Sequence, residues 1–128
     1  MTDQPQNQRL FFRLPISVET RFKVLKPEEE DLDILFLNSH NGIVVDLSGG
    51  GAVIESKVST EPGTLLRIKL SIPGEHISAF EASVIRADSL PAGGYKSAVK
   101  FTHIADGDVK KILNYLNQIL IKQNRKKQ

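Results

Sequence analysis

A chain of 128 residues with 40% apolar and 25% charged side chains has the size and composition of one folded domain, which excludes intrinsic disorder as its main state. Seventeen Lys and Arg against fifteen Asp and Glu leave a formal net charge of +2, far below what a surface gripping a long stretch of nucleic-acid backbone carries, so any basic recognition is local. The absence of cysteine removes disulfides, thiol catalysis and thiolate metal sites, while the lack of a long apolar run or signal-like leader excludes an expected membrane span and points to the cytoplasm.

Met1 to Gln8 show no hydrophobic period and are expected as a flexible tail (1–8), with order beginning near Arg9. From Ile16 the pattern alternates: Ile16, Val18, Thr20, Phe22 and Val24 share one side, and Ser17, Glu19, Arg21 and Lys23 the other, the period of a half-buried strand. Pro27 to Asp33 form an acidic connection with five carboxylates. Ile34 to Leu37 then give a short apolar run ending at the Asn38 to Gly42 turn cluster, which predicts a hairpin.

Ile43 to Leu47 and Ala52 to Glu55 read as short strands separated by Ser48 and three glycines, a bend where positive φ is free. After the Pro62-Gly63 turn, Leu66, Ile68, Leu70 and Ile72 alternate with Arg67 and Lys69. Ile77 to Ala87 predicts a long strand, Pro91 to Gly94 a loop, and Tyr95 to His103 a last strand. About seven short strands with frequent turns point to an all-β barrel or sandwich, and the expectation taken forward is a small antiparallel, Greek-key-like β-barrel of about six or seven strands, because closing a barrel removes the exposed edges of so small a sheet.

The end of the chain differs in kind. Asp106 or Asp108 is placed to cap a helix in which Val109, Ile112, Leu113, Leu116, Ile119 and Leu120 recur at three- and four-residue steps. Lys122, Arg125, Lys126 and Lys127 follow as a basic tail (122–128) with at most one turn of order, leaving 9–121 as the domain.

His40, His76 and His103 lie on different elements without partners at metal-ligand spacing, so no metal site is expected. No G-x-S-x-G elbow, phosphate-binding loop or dinucleotide fingerprint occurs, and the last strand lacks the aromatics of an RNA-stacking sheet. Nothing calls for an enzyme.

Two features remain. Arg9 and Arg13 precede Pro15, and a spacing of four points both guanidinium groups the same way, about 13 Å apart at the α-carbons if extended and about 6 Å if helical. They are either a pair sharing one ligand or solvated residues of a tail. Asp46, Leu47, Ser48, Gly49, Gly50 and Gly51 lie where a strand turns. Asp46 and Ser48, two apart, would face one side, with the glycines offering bare N–H groups to an anion; alternatively, Asp46 and Ser48 bond local backbone in a turn.

Together the two features resemble the PilZ domain, whose signature is R-x-x-x-R in an N-terminal loop followed some thirty residues later by D/N-x-S-x-x-G on a barrel. Arg9-Leu-Phe-Phe-Arg13 and Asp46-Leu-Ser48-Gly49-Gly50-Gly51 match both, and the resemblance covers about residues 8 to 120. It implies binding of the bacterial second messenger cyclic di-GMP with no reaction catalysed and no cofactor. Arg9 and Arg13 would fork onto guanine O6 and N7, pair with phosphate or lie on the purine face. Asp46 would accept from guanine N1-H and N2-H, Ser48 would bond base or phosphate, and Gly51 would keep the bend open.

Ordering about seven residues from Gln8 to Leu14 over the ligand costs roughly 1 to 2 kcal/mol each, against about 1.5 to 3 kcal/mol for each charge-assisted contact. The ordered segment would then signal to a protein partner. Gln8 stands where some members carry another arginine, which favours one ligand molecule per site over two. Ser97 and Ala98 stand where members often have glycine. The alternatives are a scaffold of the same fold acting only by protein-protein contact, and a barrel binding single-stranded nucleic acid, which the +2 charge and the few aromatics oppose. Monomer and homodimer are both open.

Overall fold

The computed structural model describes residues 14–26 and 36–127. The expected tail 1–8, the Arg9 and Arg13 pair, and the acidic connection 27–33 lie outside them. Six strands are present: β1 (Leu14–Leu25), β2 (His40–Leu47), β3 (Gly51–Ser56), β4 (Leu65–Leu70), β5 (Phe80–Ser89) and β6 (Tyr95–His103). One helix follows, α1 (Asp106–Lys127).

The strands close into an antiparallel barrel in the order β1-β2-β3-β6-β5-β4. Two three-stranded meanders, β1-β2-β3 and β4-β5-β6, pair through their outer strands, β1 with β4 and β3 with β6. Each strand thus has two hydrogen-bonded neighbours, and the link from β3 to β4 crosses the barrel end, the Greek-key-like step expected of so short a chain.

On β1 and β4 the inward residues are mostly those that alternation selected, although Lys23, expected on the outer side, is 8% exposed and lies over the Phe36 ring. Val18 and Phe22 on β1, Ile54 on β3, Leu66 and Ile68 on β4, Val84 on β5 and Val99 on β6 form one core. Thr20 keeps its place in that series because its hydroxyl, buried with the apolar side chains, donates to Lys69 O at 2.9 Å. Val24 departs from the pattern and is 39% exposed near the end of β1.

Three expectations are corrected. The apolar run ending at Leu37 is not a strand where it is described: Phe36 has φ 59°, incompatible with an extended ladder, and Leu37 lies in a turn. Phe36 is held there because its carbonyl accepts from Arg21 Nη2 at 2.7 Å and Ser39 Oγ at 2.8 Å. The strand expected from Ile77 begins at Phe80, and Ile77 instead fills the core from the preceding loop.

The third correction concerns α1. Its first intrahelical bond runs from Val109 N–H to Ala105 O, so neither Asp106 nor Asp108 is the cap. Both lie in the first turn, where their charge suits the helix dipole. At the other end, the helix continues through Lys122 to Lys127, where a tail with at most one turn was expected; basic side chains are good helix formers and favourable at a helix C-terminus. Ile112 and Leu116 are almost fully buried against the barrel, and Lys111 Nζ donates to His76 O at 2.6 Å.

Candidate functional site

A break in strand parity builds the Asp46 to Gly51 segment. Val44 and Leu47 are three residues apart yet both are 0% exposed in the core, which strict alternation forbids. A bulge resets the phase: the β2–β3 register shifts between Val44 and Asp46, and the β1–β2 register shifts between Pro15 and Val18. Leu47 therefore points inward, and Asp46 is left on the outer face, opposite Pro15 on one side and Val53 on the other.

A similar bulge lies in β5, where the register against β6 shifts between Val84 and Arg86. Val84 stays in the core, Ile85 is 59% exposed, and Arg86 comes to face Ala98. The two bulges align Asp46, Val53, Ala98 and Arg86 as successive cross-strand neighbours over β2, β3, β6 and β5. Three inter-strand spacings make that row about 14 Å long, with an acidic end, an apolar floor and a basic end.

The row lies in a groove of about 1150 Å³, which Ser48, Gly49, Gly50 and Gly51 also line. Ser48 lies beyond the strand, so it shares the groove with Asp46 through the turn and not through strand parity. Its buried hydroxyl organises that turn. Ser48 Oγ accepts from Gly50 N–H at 3.2 Å and Gly51 N–H at 3.1 Å, and lies 3.2 Å from Gly51 O, to which Ser48 N–H also donates at 3.0 Å. The turn reading weighed from the sequence thus describes Ser48, and the N–H groups of Gly50 and Gly51 are not bare as the anion reading supposed. Gly50 O in turn accepts from Phe101 N–H at 2.9 Å, which fastens the turn to β6.

The glycines have other reasons than the expected positive φ, which among the described glycines occurs at Gly63, Gly74, Gly93 and Gly94. A Cβ on Gly51 would lie 2.5 Å from Val99 O, so the close approach of β3 to β6 requires its absence. A Cβ on Gly49 would lie 3.1 Å from Leu113 Cδ2 of α1, so the turn and the helix meet at this position.

Among the described residues five charged ones line the groove: Asp46 and Asp88, with Arg86, Lys96 and Lys100. Arg86 Nε pairs with Asp88 Oδ2 at 3.0 Å, and Asp46 Oδ1 is shielded from solvent. The sequence reading missed the three cations. The two lysines had a signal in the alternation Lys96, Ala98, Lys100, which sets one face of β6, but only the β3–β6 pairing brings that face beside the Asp46 to Gly51 segment, and only the β5–β6 pairing adds Arg86.

The histidines have separate surroundings: His40 lies against the Phe22 ring, His103 Nδ1 is 3.4 Å from Glu81 Oε1, and the His76 carbonyl holds Lys111. Among the described residues no group of three His, Cys, Asp or Glu is placed to hold a metal ion, and no helix is long and apolar enough to cross a membrane.

The family model for the PilZ domain matches residues 7–118. No curated protein matches the chain. Among solved structures, the inhibitor of motility MotI/DgrA of Bacillus subtilis is 19% identical with a TM-score of 0.69, the match covering 90% of this chain and 52% of that one. YcgR of Escherichia coli, in complex with c-di-GMP, is 13% identical with a TM-score of 0.68, covering 91% of this chain and 47% of its own. A tetrameric PilZ domain of Xanthomonas campestris, self-assembled via a helical bundle, is 14% identical with a TM-score of 0.64, covering 95% and 97%. These likenesses concern the fold, and the chain spans about half the length of the first two proteins.

Proposed function

The chain belongs to the PilZ domain family, and from that premise we propose that it is a non-catalytic receptor for cyclic di-GMP. The observation that carries this reading is the register of β1. Leu14 pairs with Leu47 and Pro15 with Asp46, so the chain enters the barrel beside the groove, and Arg13 is the residue directly before that entry. The arginine segment therefore needs no long excursion to meet Asp46 and the Ser48 turn.

The chemistry divides accordingly. Asp46, on the groove wall, accepts from the N1-H and N2-H of a guanine. Arg9 and Arg13 supply guanidinium forks to guanine O6 and N7 or to phosphate, and lie flat on a purine. Gly49, Gly50 and Gly51 keep that side of the groove free of side chains, and Ser48 acts chiefly by holding their turn. Val53 and Ala98 form an apolar floor for a base. Residues 8–13 order over the ligand, one fewer than expected because Leu14 already pairs with Leu47 in β1, and the altered surface is what a protein partner in the cytoplasm reads.

Calorimetric titration with cyclic di-GMP, with GTP and cyclic GMP as controls, tests the reading. Saturable binding of the cyclic dinucleotide alone is the expected result. Silence toward all three would leave the fold with a purely protein-binding role and sink the receptor.

A further inference from the structure

Of the three cations in the groove, two have carboxylates at hand. Arg86 is paired with Asp88, and Lys96 stands in register between Glu55 on β3 and Asp88 on β5. Neither lysine makes an ion pair among the described residues, but Lys100 differs from Lys96 in its cross-strand neighbours, Gly51 and Ser83, both uncharged. Among the described residues that line the groove, Lys100 is thus the cation with neither a carboxylate partner nor a carboxylate as cross-strand neighbour.

Its position is fixed by a close approach. Because Gly51 lacks a Cβ, β3 lies against β6 at this point, and Lys100 is held directly beside the turn that Ser48 organises. Lys96, Ala98 and Lys100 face outward while Ser97, Val99 and Phe101 are buried, so the lysine projects on the groove side of the sheet. From Asp46 it is two strands across and two residues along, about 12 Å between α-carbons, and its long stem shortens that span.

We infer that Lys100 is a ligand-contacting residue of this groove, its ammonium neutralising a phosphodiester of the bound dinucleotide beside the Gly51 turn while a guanine edge is taken by Asp46. The inference rests on the receptor reading above and adds the phosphate contact to it. An ammonium with no carboxylate beside it gains the full attraction of an arriving phosphate, whereas Arg86 exchanges one anion for another and Lys96 has its attraction offset by the carboxylates opposite it on both neighbouring strands.

Titration with cyclic di-GMP at low and high salt tests it, comparing the unsubstituted chain with Lys100→Met, Lys100→Arg and, as a control for net charge, Lys110→Met on the exposed side of α1. Lys100→Met is expected to bind about ten-fold more weakly at low salt and to show a smaller salt dependence than the unsubstituted chain, Lys100→Arg to stay close to the original, and Lys110→Met to change little. Lys100 is exposed, so the thermal midpoints of all four proteins should coincide. If Lys100→Met binds as Lys110→Met does at both salts, the phosphate contact is wrong although the receptor stands. If the unsubstituted chain gives no heat, the receptor reading itself fails.

Discussion

Gly49 lies under Leu113 so closely that a Cβ added to the glycine would come within 3.1 Å of the leucine's Cδ2. The turn that lines the groove and the first half of α1 therefore share a contact, although they are far apart in the chain. Leu113 is 38% exposed and its end is free to swing, so Gly49→Ala should cost little, within about 1 kcal/mol, and Gly49→Val about 1 to 3 kcal/mol. Urea denaturation of both variants measures the difference.

Gly51 meets backbone and not a flexible side chain. With Val99 O only 2.5 Å from the missing Cβ, Gly51→Ala has to separate β3 from β6 and should lose more stability than Gly49→Ala, about 1 to 3 kcal/mol. Equal midpoints for the two alanine variants would contradict this account.

Removing the Ser48 hydroxyl leaves the N–H groups of Gly50 and Gly51 without their acceptor in a partly buried turn. Ser48→Ala is expected to destabilise the fold by about 1 to 3 kcal/mol. Amide exchange read residue by residue should show Gly50 and Gly51 losing protection ahead of the core strands.

Ser97 is buried, and its hydroxyl is 2.8 Å from that of Thr60. This serine of β6 is thus tied to the loop after β3. Ser97→Ala strands the Thr60 hydroxyl and should cost about 1 to 3 kcal/mol, whereas removing both hydroxyls together, by Ser97→Ala with Thr60→Val, should recover part of that loss. A double-mutant cycle in urea gives the coupling.

Arg13→Ala should weaken cyclic di-GMP about ten- to a hundred-fold by calorimetry and leave the thermal midpoint of the ligand-free protein nearly unchanged. Asp46→Ala should also weaken the ligand, by the loss of its acceptor for a guanine edge.

The barrel was legible because its strands announce themselves by period two. Val18 and Phe22, Leu66 and Ile68, Val99 and Phe101 are all core residues that alternation alone picks out. Ile112 and Leu116 were equally legible from the helical step. Pattern reading failed where the period slips: Val44 and Leu47 share the core across a bulge, and Phe36 breaks an apolar run by turning left-handed. It failed too at the ends of elements, at Ile77 and beyond Lys122, where packing and helix propensity set the boundary.

By itself, the sequence determined which residues share a face within an unbroken strand or helix, that short strands are followed by a terminal helix, and that Asp46, Ser48 and the glycines form one local bend, because each depends on neighbours within a few positions. Only the tertiary structure decided that Arg86 and Lys100 stand with Asp46 over one groove, that Ser48 holds its own turn, and that Gly51 and Gly49 make room for Val99 and Leu113. The physical reason is that ring closure fixes which strands pair and bulges fix their phase, and neither is written in any short window of the chain.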